Sequence, residues 1–214
     1  MEPIINREFR DIYHNFVYVD CTDEKDKLRK DLGFSEEATG FIGYGIAEPM
    51  TGLSFLILGE GILKDDNIIS NVREENDFAR INYEEVKFFN SVLKDKLNLD
   101  ESRYEEKIKS ATLNLEEKHE ARRVFREMKE LDDSRDFGLP DYLSIVFYGG
   151  NHFPELSFVR AHSFGDNNIM FGEVARAPRQ NFGIKEGDIV PFKAFQSDKN
   201  ISLYLVDKDG EILK

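Results

Sequence analysis

The sequence predicts an α+β protein. The expectation is an N-terminal α/β part with a short antiparallel sheet and two or three helices over residues 1–140, and a small curved antiparallel sheet or barrel over residues 141–214. Three observations carry it. Residues 53–58, LSFLIL, are continuously apolar, as in a strand covered on both faces. The apolar residues of 82–97 and 114–131 recur at helical spacing. From Tyr142 onward the chain breaks into short alternating runs separated by Gly, Asn, Pro and Asp. The charge changes as well: residues 1–140 hold 21 basic and 32 acidic side chains (net −11) and residues 141–214 hold 8 and 10 (net −2), which together give the −13 of the whole chain. The polar run Asp132–Asp136, followed by Gly138 and Pro140, marks the expected boundary.

In chain order, Ile4, Phe9, Ile12 and Phe16 are spaced for a short helix that passes into a strand at Phe16–Val19. Thr22 or Asp23 is a fitting cap for a helix over about 23–32, with Gly33 as its left-handed C-cap. Phe41–Ala47 and Leu53–Leu58 read as strands, and the few residues between them require an antiparallel hairpin. Residues 64–80 read as a solvated loop. Asn82 with Glu85 makes a capping-box pattern ahead of Val86, Phe89, Leu93 and Leu97, predicting a helix to about residue 97. Residues 100–110 read as helical. Asn114 with Glu117 opens another helix, on which Ala121, Val124, Phe125, Met128 and Leu131 form the apolar stripe. Arg123–Glu127 and Arg126–Glu130 are expected as weak pairs on its wet side. Strands are predicted at 142–148, 155–161, 168–175, 188–195 and 201–206, with a sixth at 211–213.

The totals narrow the function classes. A net charge of −13 opposes unaided binding to phosphate backbones or anionic lipid, so neither nucleic acid nor a membrane is an expected partner. No run of eighteen apolar residues occurs, which removes a transmembrane helix. The opening residues lack an apolar signal core, and the single cysteine, Cys21, excludes an intrachain disulfide; a cytoplasmic protein is expected.

Chemistry-bearing residues are sparse. His152 and His162 flank a predicted strand and, with Glu155, form a nominal His/His/carboxylate set, but a ten-residue spacing is no recognised ligand pattern, and no metal site is expected. Arg160, Arg176 and Arg179 are the basic concentration of the second part, fit either to hold an anionic ligand or to balance acidic neighbours. Gly40, Gly43 and Gly45 lack the GxGxxG pattern and a following helix, so close packing within a sheet explains them better than a dinucleotide loop. No cofactor is expected and no catalytic residue is assigned. The weak ligand-binding candidates are His152, Glu155, His162, Arg160, Arg176 and Arg179.

The second part also resembles a known family. Tyr142, Leu143, Val146 and Phe147, the turn at Gly149 and Gly150, Glu155, Phe158 and Val159, then Gly172, Val174 and Pro178, and finally Ile184, Gly187, Asp188, Val190 and Phe192 are similar to the pattern of the uncharacterised bacterial YegJ-like domain. Phe158 stands where that pattern has Trp, and Arg176-Ala177 precedes Pro178 where an acidic residue or Asn is common. The resemblance covers about fifty residues and implies a fold, with no activity to carry over. The functional expectation is a non-catalytic protein-interaction module, immunity-like, whose acidic surface meets a basic protein partner. The alternatives are a small-ligand-binding or accessory domain and a hydrolase with its site near His152, Glu155 and His162.

Overall fold

Strand pairing sorts the chain into two sheets. They are seen in a computed structural model that describes residues 1–22, 30–48, 51–64, 67–72, 79–115, 120–197 and 200–213. The two sheets belong to separate units, Met1–Lys118 and His119–Lys214.

The first unit holds an antiparallel sheet of seven strands: β1 (Glu2–Pro3), β2 (Phe16–Asp20), β3 (Gly40–Glu48), β4 (Gly52–Lys64), β5 (Asn67–Val72), β6 (Arg80–Asn82) and β7 (Asn90–Leu93). Their order is β1-β7-β2-β3-β4-β5, with β6 also paired to β4. The expected β3–β4 hairpin is present, running from Glu48↔Gly52 to Gly40↔Gly61 with one register shift. Leu53, Phe55, Leu56, Ile57 and Leu58 are all fully buried, as a strand apolar on both faces requires. Helix α1 (Phe9–Ile12) precedes β2, and α2 (Tyr83–Val86) follows β6. Helix α3 (Glu105–Leu115) contributes Ala111, and the turn before it Tyr104, to a core with Phe16, Tyr18, Ile42, Ile46, Leu56 and Leu58. Tyr18 explains two of the glycines. A Cβ on Gly61 would stand 2.6 Å from its ring and one on Gly40 2.8 Å, so the ring lies over bare backbone.

The second unit opens with α4 (Glu120–Glu127) and a 3-10 stretch at Lys129–Ser134. A five-stranded barrel follows: β8 (Tyr142–Phe147), β9 (Glu155–Phe164), β10 (Met170–Val174), β11 (Ile189–Ser197) and β12 (Asn200–Leu205). Each strand pairs antiparallel with the next. Four reversals return the fifth strand to the direction of the first, so the closing β12–β8 pair must be parallel, and it is, through Tyr204↔Val146. The interior is filled by alternate residues, including Leu143, Ile145, Phe147, Val159, Val174, Phe192, Leu203 and Leu205, together with Phe125 and Leu131 from the segment ahead of the strands. Phe125 stacks on Phe164 at a centroid distance of 4.1 Å.

Several expectations are corrected. The helix over 82–97 lasts one turn: the capping contact forms, with the Asn82 amide donating to Glu85 Oε1 at 3.2 Å, but Asn90–Leu93 then pairs as a strand with β1 and β2. Tertiary pairing overrides the helical spacing because it puts Val92 beside Tyr18 in the core. The loop over 64–80 contains β5 and the first residue of β6. Of the helix over 114–131, Glu120–Glu127 is α-helical and Lys129–Ser134 is 3-10, while the Glu117 part of its start signal lies outside the described residues. Most of the helix over 23–32 also lies outside them, although Gly33 has the expected positive φ of 66°. The sixth strand reduces to a single bridge, Val206↔Ile212. The second unit starts at His119, ahead of the composition break at 132–140, because Phe125 and Leu131 belong to the barrel core. Among the described residues, no helix is long and apolar enough to cross a membrane.

Candidate functional site

The ligand-binding candidates from sequence all lie in the second unit, Glu155, Arg160 and His162 on β9 and His152, Arg176 and Arg179 in connections between strands, and the fold gives each a separate surrounding. Glu155 opens β9 opposite Phe147. Its Oε1 accepts from the backbone amide of Arg179, and its Oε2 accepts from the amide of Gln180 at 3.0 Å and the side chain of Gln180 at 3.3 Å. Gln180 in turn accepts from the Phe153 amide at 3.0 Å and donates to the Phe153 carbonyl at 2.8 Å. A few residues along, the Ser157 hydroxyl donates to the Arg176 carbonyl at 2.6 Å. These bonds tie the segment 175–180 alongside the start of β9. The amides of Arg179 and Gln180 hold the Glu155 carboxyl below the usual carboxylate range. That direction suits an anchor and opposes a role as general acid near neutrality.

His152 and His162 do not join Glu155. The His152 ring packs against Phe182, with centroids 4.8 Å apart. His162 lies seven residues along β9 from Glu155, about 23 Å at strand rise. Ala161 pairs with Gly172 and Ser163 with Phe171, which leaves His162 as the extra residue of a bulge. It is exposed, with Nδ1 3.0 Å from the Ser163 hydroxyl.

The arginines also separate. Arg160 pairs with Glu173, its cross-strand neighbour, and that contact lowers Glu173 and raises Arg160. Arg176 and Arg179 are exposed, and only their backbones take part in the bonds above. Arg160 and Glu173 line a shallow groove of about 340 Å³ with Tyr142, Val174, Ala175, Glu186 and Gly187. Another cavity, about 210 Å³, lies in the first unit beside Arg7, Ser91 and Lys96, where Arg7 is already engaged by Glu2 and Ser91. Among the described residues, no group of three or more His, Cys, Asp or Glu is arranged to hold a metal ion.

The residues that sequence reasoning missed are on α4. Arg126, expected on the wet face beside Glu130, is 1% exposed. Its Nε and Nη2 donate to the two oxygens of Asp141 at 2.7 and 2.8 Å, a bidentate pair buried on both sides. Arg122, one turn earlier on the same helix, is half-buried near Asp141, Arg160 and Glu173, and burial is the largest influence on it, pushing its pKa down. A buried Arg was signalled only by its place one residue from Phe125, on the side of the helix that faces the barrel. No family model, curated protein or solved structure matches this chain.

Proposed function

We propose that this protein is a non-catalytic protein-interaction module, immunity-like in masking a basic partner with its acidic first unit. The observation that carries the reading is the distribution of charge between the two units. Residues 1–118 hold 16 basic and 26 acidic side chains, a net of −10; residues 119–214 hold 13 and 16, a net of −3; the sum is the −13 of the chain. Charge concentrated on one unit steers an oppositely charged protein and suppresses wrong partners. Asp95, Glu105 and Glu106 are exposed contributors on that unit. The separation of Glu155 from His162 gives the hydrolase alternative no observation of its own. The reading places the protein in the cytoplasm and keeps the YegJ-like likeness of residues 141–192 as a likeness of fold.

The experiment is affinity capture from the native host with the full chain as bait, at low and high salt, read by mass spectrometry. A companion bait carries Asp95→Asn, Glu105→Gln and Glu106→Gln. The expected result is a basic protein that high salt releases and the neutralised bait captures less well. Capture of the same proteins by both baits, indifferent to salt, would overturn the proposal.

A further inference from the structure

The barrel carries a second surface of opposite character, and its residues follow from strand register. On β9 the inward residues are Ser157, Val159 and Ala161, so Leu156 and Phe158 face outward. Leu156 lies across from Val146 on β8, and Val146 lies across from Tyr204 on β12. Tyr204 meets Phe195 of β11 edge to face, with centroids 5.8 Å apart. Four neighbouring strands therefore present one continuous apolar strip, Phe195–Tyr204–Val146–Leu156, about 15 Å across at normal strand spacing. Phe158 extends it along β9. Phe153, just ahead of β9, is 82% exposed and Leu156 is 67% exposed. Phe195, Tyr204 and Val146 are half-buried, and Phe158 is exposed; single exposed apolar residues are ordinary, but exposed ones continuous with an outward-facing apolar row mark a contact surface.

The charged positions around the strip give the chemistry of what covers it. Lys193 lies across from Tyr204. Arg176 and Arg179 run alongside the start of β9, and among the described residues neither guanidinium has a hydrogen bond or ion pair. Of the acids nearest by register, Glu173 is paired with Arg160, whereas Glu155 stays ionised under the amides of Arg179 and Gln180 and feels the Arg179 charge as well. Arg176, Arg179 and Lys193 against the single ionised Glu155 leave the rim net cationic around an aromatic and aliphatic centre, the combination of Arg and aromatic anchors that dominates interface energetics.

We propose that this outer face of the barrel binds an acidic amphipathic segment of another protein, one in which Asp or Glu is interspersed with Leu or Phe. The site stands independently of the basic partner of the first unit. The protein would then join two partners of opposite charge.

The test measures fluorescence anisotropy of the full chain with two synthetic probe peptides, one of Glu with Leu and Phe, the other identical with Lys in place of Glu. The variants are Leu156→Glu and the double change Arg176→Glu, Arg179→Glu. All sit at exposed side chains, and melting curves confirm folding. The acidic peptide is expected to bind, more weakly as salt rises, with affinity reduced about tenfold or more by either variant; the Lys peptide, which the acidic first unit attracts, is the control, and neither variant is expected to weaken its binding. No binding of the acidic peptide, variants that bind it like the wild type, or a loss on Leu156→Glu as large for the Lys peptide as for the acidic one would each overturn the proposal. So would a dimer of the chain alone, seen by sedimentation and dissolved by Leu156→Glu, since the strip would then be occupied by a second copy.

Discussion

Arg126→Ala should be among the most damaging single changes in the second unit. Removing the guanidinium leaves the Asp141 carboxylate, in a residue 3% exposed, without its bidentate partner. Breaking a buried pair in this way costs about 3–5 kcal/mol, because a desolvated charge loses its compensation. A unit spanning residues 119–214 is expected to have about 5–14 kcal/mol of total stability, so the loss is a large fraction of it. The assay is native-state hydrogen exchange of amides in the β8–β9 ladder, which reports on this unit alone. The Ala161 amide is a convenient probe because it donates to the Asp141 backbone carbonyl, a bond the substitution does not remove. Protection there should fall between about 10²-fold and about 4 × 10³-fold, following the tenfold change per 1.4 kcal/mol. The control is Arg126→Met with Asp141→Leu. An apolar pair of similar volume should restore most of the protection or exceed the wild type, since the pair's own desolvation penalty disappears with it. A loss under about 1 kcal/mol in Arg126→Ala, or a double variant as unstable as the sum of its single changes, would show that the pair is effectively solvated and would refute the reasoning.

Three further outcomes follow from the same physics. Glu155 has its folded pKa depressed, so its contribution is fully present above the unfolded value and is lost as pH falls through the folded value; melting temperature should decline below about pH 4.5, and Glu155→Gln should flatten that part of the decline. Burial pushes the Cys21 thiol up to about 12, with Asp20 adding to it, so a thiol reagent at pH 8 should leave the native protein unlabelled over the time in which denatured protein reacts completely. Gly61→Ala would drive a methyl against the Tyr18 ring, and the fully buried ring has little room to yield; a loss of about 1–3 kcal/mol in urea unfolding is expected, where a loss near zero would mean that the sheet shifts to admit it.

The barrel was legible because its information is local. Adjacent strands pair in chain order, and the turns carry residues whose backbone needs glycine: Gly149, Gly150, Gly187 and Gly210 all have positive φ. The first sheet was legible only at the β3–β4 hairpin. Its central order β7-β2-β3 joins strands some seventy residues apart, and the spacing of Val86, Phe89 and Leu93 fits a helix as well as it fits one turn followed by a strand. Arg126 failed for a related reason. A helical wheel offers Glu130 as its natural partner four residues on, whereas the observed partner is Asp141, fifteen residues away beyond the end of the helix. Local pairing rules describe a helix in water, and α4 packs its Arg face on the barrel.

The site candidates show how the same residue types support two opposite readings. A carboxylate, two histidines and three arginines within thirty residues look like chemistry when counted along the chain. Strand geometry separates them: Glu155 stands across from the interior residue Phe147, while Arg160 and His162 lie with the outward side of β9. Once Glu155 accepts two backbone amides, its proton affinity falls, which removes the property a general acid needs. Fixing Glu155 in that way also fixes the segment bearing Arg176 and Arg179 beside Leu156 and Phe158. The carboxylate that resembles a catalytic group therefore positions the cationic edge of the apolar strip. Loss of its acceptor oxygens, as in Glu155→Ala, should weaken binding of the acidic peptide at an unchanged strip; unaltered affinity would show that the arginine segment is held in place without it.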